Sequence, residues 1–452
     1  MLNNEEIRNL DLNKLKKVHF VGIISGFNSF CANFLLEKGI TVTASEIVQD
    51  SPLAKEWIER GVLYQGGHNS EYITEDIDLV VYPNGPIPGN PECEQAQRLN
   101  VPTITIAQLT GLVGRDFKVI AVAGTHGKTT TSALVTWLIH SSLGTPNFII
   151  GDTILGLNRS WNYNPNSEYL VIEACEYKRQ FLDRAPTPYI SVITNIDLDH
   201  TDYYKNQEDY NSAFVQFLTN TTGCIVIDSS GMNESKVIKE VREKNREVVI
   251  IDMDNAKERY RDIEVPNLFG LHNRENLYRA CGVGEALNIE LSFKQFPGVA
   301  SRFEYLGDTN NGMKVFLDYA HNPKKIEACL MGAKSQFPDK KIVLVWQPHS
   351  FERSYTFKKD FAMSLFNADI VYIPNIYSPT RETEVERSLI TQEDFVNYLA
   401  SNNPNIDIRY TKDFQNSAEM LKNGIFNEEY ICILASAGDL KNITKFIELK
   451  KD

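Results

Sequence analysis

Short apolar runs alternate with amphipathic stretches along most of the chain. Val18–Ile24 has the pattern of a buried strand ending in a glycine turn, and the helical stretch through Phe34-Leu-Leu-Glu-Lys38 stops at Gly39. Thr41–Ser45 reads as a second strand, Ala54–Arg60 as a helix closed by Gly61, and Leu79–Tyr82 and Thr103–Ile106 as further strands. A new run begins beyond Gly114-Arg-Asp116, with strands at Tyr169–Glu173 and Ile190–Asn195 and a helix through Arg274–Cys281. After Pro297-Gly298 the alternation resumes, with strands at Lys314–Asp318, Lys341–Trp346, Ile370–Ile373 and Tyr430–Ala435. Such alternation predicts parallel, doubly wound sheets. The economical reading is an α/β chain of three domains, 1–114, 115–298 and 299–452.

Composition supports this and excludes other classes. A chain of 452 residues is too long for one core. The net charge of −13 argues against a general nucleic-acid binder. No apolar run approaches a membrane span, and the first residues lack the basic start and apolar stretch of a signal peptide. The seven cysteines are scattered without a C-x-x-C pair, which predicts reduced core thiols, a cytoplasmic protein and no zinc site.

The chemistry concentrates where apolar strands end. In Val119-Ile-Ala-Val-Ala-Gly-Thr-His-Gly-Lys-Thr-Thr-Thr131 a strand runs into a glycine turn and then a helix. That arrangement cradles a polyphosphate: backbone N–H groups converge on the phosphates, Lys128 neutralises charge, and the Thr129 hydroxyl is placed for Mg²⁺. Gly124, Thr125, His126, Gly127 and Thr130 complete the expected loop. Val122 occupies the place of the first glycine of the common G-x-x-x-x-G-K-[ST] pattern. Glu173 ends a strand and Glu176 lies three residues on; beside a phosphate loop, at least one is expected to serve a metal. His200, in Asn195-Ile-Asp-Leu-Asp-His200, can ligate a metal, act as a base or cap a turn.

Elsewhere the readings are broader. A glycine turn at Gly22-Ile-Ile-Ser-Gly26, not a full G-x-G-x-x-G, and an acidic Glu46 after the second strand suggest a dinucleotide-like site, balanced against plain scaffold. Asn273 in His272-Asn-Arg-Glu-Asn276 can cap a helix or help read an adenine edge. Asp318 and His321, in Asp318-Tyr-Ala-His-Asn-Pro323, and His349 lie at strand ends. Five of the eight histidines, 126, 200, 272, 321 and 349, fall at element ends, a pattern expected of a crevice between domains.

Together these motifs resemble the Mur ligases of peptidoglycan precursor synthesis over nearly the whole chain. Gly124–Thr130 is similar to their ATP loop, Glu173–Tyr177 and Thr194–His200 to their metal motifs, and His272–Asn276 to their adenine motif. Ser301-Arg-Phe-Glu304 is similar to the start of their C-terminal domain and Asp318–Pro323 to their ribose and substrate motif. Gln347-Pro-His-Ser-Phe-Glu-Arg353, Ser436-Ala-Gly-Asp-Leu440 and Tyr82–Glu92 look most like members that join L-alanine to UDP-N-acetylmuramate. Members that recycle a murein tripeptide, or use another acyl acceptor, are the alternatives. Three departures stand out. Ile24, Phe27 and Asn28 replace glycines or methionine and are expected to crowd a pyrophosphate, the stretch from His200 to His272 is short, and His321-Asn322 replaces a commoner His-His.

The resemblance implies a Rossmann-like UDP-sugar domain, a central P-loop ATPase-like domain and a C-terminal Rossmann-like ligase domain that closes on ATP. It implies ATP and Mg²⁺ as cofactors, and amide formation through an acyl phosphate. Lys128, Thr129 and Glu173 would serve the phosphoryl group with one Mg²⁺, and His200 a second. His272, Asn273 and Asn276 would hold adenine, Arg302 the phosphates and Asp318 the ribose. Gly22, Ser25 and Glu46 would contact the nucleotide sugar, with His321, His349, Arg353 and Arg381 toward the incoming amino acid. A monomer or homodimer without nucleic-acid or membrane partners is expected.

Overall fold

The computed structural model of the chain describes all residues except 48–51, 84, 184–185, 266–267, 380–381, 425 and 451–452. Each of the three expected segments carries one sheet. The first holds β1 (Lys17–Val21), β2 (Thr41–Glu46), β3 (Leu63–Gly66), β4 (Leu79–Tyr82) and β5 (Thr103–Thr105) in the order β3-β2-β1-β4-β5. All its pairs are parallel. The order reverses between β1 and β4, which makes the carboxyl ends of these strands the natural ligand crevice. Ile106, expected in the fifth strand, instead starts a helix, because the Thr105 hydroxyl and the Gln108 side chain form a capping box there.

The second sheet contains β6 (Lys118–Ala123), β7 (Asn147–Ile154), β8 (Arg159–Asn162), β9 (Tyr169–Glu173), β10 (Ile190–Ile193), β11 (Cys224–Ile227) and β12 (Val249–Asp252), ordered β12-β11-β10-β6-β9-β7-β8. The phosphate-loop strand β6 is therefore central, between β9 and β10, with buried apolar residues throughout Val119–Ala123. Central parallel strands are covered on both faces, which is why they read as continuous apolar runs.

The third sheet is formed by β13 (Glu304–Thr309), β14 (Lys314–Asp318), β15 (Lys341–Trp346), β16 (Ile370–Ile373), β17 (Asp407–Tyr410), β18 (Tyr430–Ala435) and β19 (Leu449–Lys450), ordered β17-β16-β15-β18-β14-β13-β19. Its β13 edge departs from the parallel expectation, pairing antiparallel with both β14 and β19. The β13–β14 connection turns at Gly312, whose φ of 84° suits a residue without a side chain.

By internal contacts the chain divides into two compact units. One comprises Met1–Thr153, Leu157–Glu264 and Asn276–Gln295; the other comprises Ile154–Gly156, Val265–Glu275 and Phe296–Asp452. The first two sheets thus share a unit and a core, in which Val18, Phe30 and Phe34 belong to the same cluster as Val119, Leu170 and Phe214. Aromatic contacts tie them together: Phe34 meets Phe117 and Tyr163, and Trp57 stacks on Trp161 at 6.1 Å. All seven cysteines are free, and only Cys175 is not buried. Among the described residues no helix is long and apolar enough to cross a membrane.

Candidate active site

The phosphate loop joins β6 to the helix Lys128–Leu143. Gly124 and Gly127 adopt φ of 131° and 81°, open to glycine and strained for other residues. Space enforces the same choice. A Cβ on Gly124 would come within 2.2 Å of the Thr194 hydroxyl, and one on Gly127 within 2.2 Å of Asn276 Oδ1. Asn276 is thereby placed at the loop itself. The loop is held from β10's end: Asn195 Oδ1 accepts from the His126 N–H at 2.9 Å, and Asn195 Nδ2 donates to the His126 carbonyl at 3.0 Å. The Thr125 hydroxyl is committed to the Asp197 carbonyl and lies 3.0 Å from the Tyr210 hydroxyl. Asn195 did not stand out in the sequence as a loop-holding residue, although its place after a strand was a signal.

Lys128 bends back over the loop, donating to the Gly124 and Thr125 carbonyls at 2.6 and 3.1 Å. Its ammonium also lies 2.9 Å from Glu176, which faces His200 Nε2 at 3.3 Å on its other oxygen. Burial alone would lower the lysine's pKa, but the charges of Glu176 and Glu173 outweigh it and raise the pKa. Burial likewise pushes Glu176 up, yet hydrogen bonding to His200 and the Lys128 charge hold it below its ordinary value. The hydrogen bond to Glu176 raises His200. The result is a linked row, Lys128–Glu176–His200, with the carboxylate between an ammonium and an imidazole.

Glu173 does separate work. Its Oε2 accepts from the Thr129 hydroxyl at 2.9 Å and from the Gly151 N–H at 2.7 Å. Thr129 and Glu173 are thus hard oxygen donors side by side, suited to a small divalent cation. A second group of possible ligands comprises Glu176, Asp199 and His200, whose donor atoms lie within 4.8 Å of one another. Gly151 had no local sequence signal, because only the β7–β9 pairing brings it to Glu173. Thr130 is buried in the first turn of the loop's helix.

In the first sheet, Gly22 turns with φ of 84° and Glu46 Oε2 accepts from the Ile24 N–H at 3.3 Å, so these two expected substrate residues meet. Ser25 caps the helix Gly26–Glu37 by accepting from the Asn28 N–H. Two of the three residues expected to crowd this turn have defined partners. Asn28 is buried, with its amide bonded to the Gly22 carbonyl at 2.9 Å, and Phe27 packs on Phe181.

The helix Leu271–Leu287 begins earlier than expected, so Asn273 lies within its first turn instead of capping it. Its amide donates to the Phe269 carbonyl at 2.7 Å, and His272 is exposed. In the second unit, Asp318 accepts from the backbone N–H groups of Phe303 and Ala320 at 2.9 and 2.8 Å. It therefore clips the turn that presents Arg302, whose neighbours Ser301 and Phe303 both have positive φ. The Arg302 guanidinium lies 4.8 Å from the Tyr319 ring centre.

His321 Nδ1 donates to the Tyr319 carbonyl at 2.8 Å, leaving Nε2 as an acceptor. Burial and the Lys325 charge push its pKa down to about 3. His321 and His349 are 6.4 Å apart by ring centres, and His349 packs on Tyr377. Gln347 bridges Asp439 and Ser436 nearby. Arg353 is half-buried in the helix Phe351–Thr356, while Arg381 lies outside the described residues.

Three family models match in order along the chain: "Mur ligase family, catalytic domain" at residues 17–118, "Mur ligase middle domain" at 122–284 and "Mur ligase, glutamate ligase domain" at 301–441. The UDP-N-acetylmuramate–L-alanine ligase of Caldanaerobacter subterraneus subsp. tengcongensis is 32% identical, over 98% of this chain and 99% of that one. The chain belongs to the Mur ligase family. A relative of the same name from Clostridium kluyveri is 33% identical over 95% of this chain and 97% of its own. Among solved structures, the UDP-N-acetylmuramate–alanine ligase of Thermotoga maritima shares the fold with a TM-score of 0.70 at 23% identity, over 95% of this chain and 98% of that one. A murein peptide ligase from Psychrobacter arcticus gives 0.58 at 21% identity with the same coverage. As a Mur ligase the chain is an ATP-dependent ligase that forms a C–N bond and releases ADP.

Proposed function

We propose that this Mur ligase joins L-alanine to the lactyl carboxylate of UDP-N-acetylmuramate, with ATP cleaved to ADP and phosphate, in peptidoglycan precursor synthesis. The observation that carries the reading is the full-length identity of 31–33% to relatives of that activity, with the Lys128, Thr129 and Glu173 arrangement intact. The lactyl carboxylate attacks the γ-phosphate to give an acyl phosphate, and the amine of alanine then displaces phosphate.

The chain's own groups fit these needs. Lys128 leaves Glu176 for the phosphates and offsets charge as it moves to the transferring oxygen atoms. Thr129 and Glu173 would form one oxygen-donor set for Mg²⁺, and Glu176 with His200 a second set of mixed oxygen and nitrogen donors. The bound cation would neutralise phosphate charge. Asn195 keeps the loop's N–H groups convergent. Arg302, on the turn held by Asp318, serves the phosphates. Asp318 remains partly exposed for the ribose. His321 is neutral at working pH, with Nε2 free to accept from an incoming ammonium or amine. His272 and Asn273 serve adenine, Gly22, Ser25 and Glu46 the nucleotide sugar, and His349, Arg353 and Arg381 the amino-acid end.

The test is phosphate release by the purified chain with ATP, Mg²⁺ and UDP-N-acetylmuramate, across a panel of amino acids and the murein tripeptide. Release that requires both the nucleotide sugar and L-alanine is expected. Release independent of the nucleotide sugar, or dependent on the tripeptide instead of alanine, overturns the assignment.

A further inference from the structure

Two histidines outside the five singled out in the sequence, His19 and His68, converge on one carboxylate. Glu92 is fully buried in the first turn of the helix Pro91–Arg98, which follows β4. Its Oε2 accepts from the Ser45 hydroxyl at 2.6 Å and faces His19 Nε2 at 3.2 Å. Its Oε1 accepts from the Asn69 N–H at 3.1 Å and faces His68 Nδ1 at 3.1 Å. Four donors match the four lone-pair directions of an ionised carboxylate. His19 meets the Thr43 hydroxyl through Nδ1 at 2.7 Å, so its ring is satisfied on both sides.

The partners come from different parts of the first sheet. His19 is on β1, Ser45 ends β2, and His68 and Asn69 follow β3, while Glu92 itself enters from beyond β4. One side chain therefore ties together segments on both sides of the point where the strand order reverses. Its partners are adjacent to the expected substrate residues. Ser45 precedes Glu46 and its carbonyl accepts from the Gly22 N–H at 2.9 Å; Gly67, next to His68, donates to the Glu46 carbonyl at 2.8 Å. Among the residues that bond Glu92, His68 is partly exposed, 21% of its side chain, and Asn69, which gives only its backbone N–H, is exposed.

A buried ionic network is no cheaper than apolar packing of the same volume. The apolar cluster on this face, Val21, Val80, Tyr82, Cys93 and Ala96 among others, could have continued through the space that the network occupies. We propose that Glu92 is a positioning residue for the nucleotide-sugar site, holding the ends of β2 and β3 in register so that Glu46 and the Gly22 turn meet the ligand. It acts through Ser45, His68 and Asn69 without touching substrate. The inference rests on the proposed reading of the first sheet as the nucleotide-sugar site.

The test compares steady-state kinetics of the full chain with Glu92→Gln, Ser45→Ala and His68→Ala, each with its melting temperature. An amide at position 92 sets its own N–H groups against two of the four donors. The KM for UDP-N-acetylmuramate is expected to rise at least tenfold in Glu92→Gln and several-fold in the other two. The KM for ATP and kcat should stay within about twofold, because the phosphate loop is on another sheet. If Glu92→Gln fails to fold, Ser45→Ala and His68→Ala decide. Variants that melt earlier yet keep the wild-type KM for the nucleotide sugar overturn the inference and leave Glu92 as core scaffold. A wild-type chain that binds neither UDP-N-acetylmuramate nor UDP by calorimetry instead overturns the reading of the first sheet, and this inference with it.

Discussion

The Lys128 ammonium lies 2.9 Å from the Glu176 carboxylate, and both are largely buried, with side-chain exposures of 12% and 1%. The lysine proposed to meet the triphosphate is thus already charged and already paired. Lys128→Met should lower phosphate release by roughly 10²–10³-fold or more, since a preorganised charge on the transferring group is lost. Glu176→Ala leaves the buried Lys128 facing His200, with the Gly124 and Thr125 carbonyls and the more distant Glu173 charge as its remaining offsets. It should cost about 3–5 kcal/mol in a denaturant titration of the ligand-free chain.

Gly127→Ala should remove ATP binding while sparing the nucleotide sugar. The new methyl would press on Asn276 at 2.2 Å in a backbone conformation that alanine resists. Calorimetric titration with ATP should show affinity reduced at least tenfold, and an unchanged affinity would mean that the loop does not hold the nucleotide as assigned.

Gly151→Ala tests the oxygen-donor set at a distance in sequence. Its Cβ would lie 2.6 Å from Glu173 Oε2 and 2.9 Å from the Thr129 hydroxyl, so one of the two must move. The Mg²⁺ concentration for half-maximal activity should rise roughly fivefold, the counterpart of about 1 kcal/mol. Wild-type Mg²⁺ dependence in this variant would remove Glu173 and Thr129 from the metal's surroundings.

His321 predicts a pH effect with a definite sign. Its pKa is about 3 in the folded chain against an ordinary 6.5. Between those values the unfolded chain takes up a proton that the native state refuses, so stability falls as pH drops below 6.5 and the loss is complete near 3. Full coupling would amount to roughly 1.4 kcal/mol per pH unit, less for a ring that keeps some contact with solvent. His321→Gln should therefore lose less melting temperature than the wild type between pH 6.5 and 4.5. Parallel losses would show that the ring is solvated.

Of the second sheet, β7, β8, β11 and β12 were not read, β11 because Cys224–Ile227 is only four residues long. Strands β6, β9 and β10 were legible because buried parallel strands are apolar end to end, and Val119–Ala123 before a glycine turn admits little else. The phosphate loop followed from local chain geometry for the same reason. Edge strands such as β3 and β17 escaped, since their half-exposed residues Leu63–Gly66 and Asp407–Tyr410 carry no periodic signal. The start of the helix Leu271–Leu287 was placed too late because Asn273, a good cap by type, uses its amide on Phe269 instead.

Local sequence determined the glycine turn, the order of lysine and threonine on the helix start, and the carboxylate at the end of β9. These depend on φ, on helix geometry and on short-range spacing, all of which are written in consecutive residues. Tertiary structure alone decided which carboxylate met which partner. Glu173 took Thr129 and Gly151, Glu176 took Lys128 and His200, and Glu92 gathered His19, Ser45, His68 and Asn69 from across a sheet. Those pairings depend on strand order and on the cost of leaving a buried charge without donors, and neither is visible until distant segments pack together.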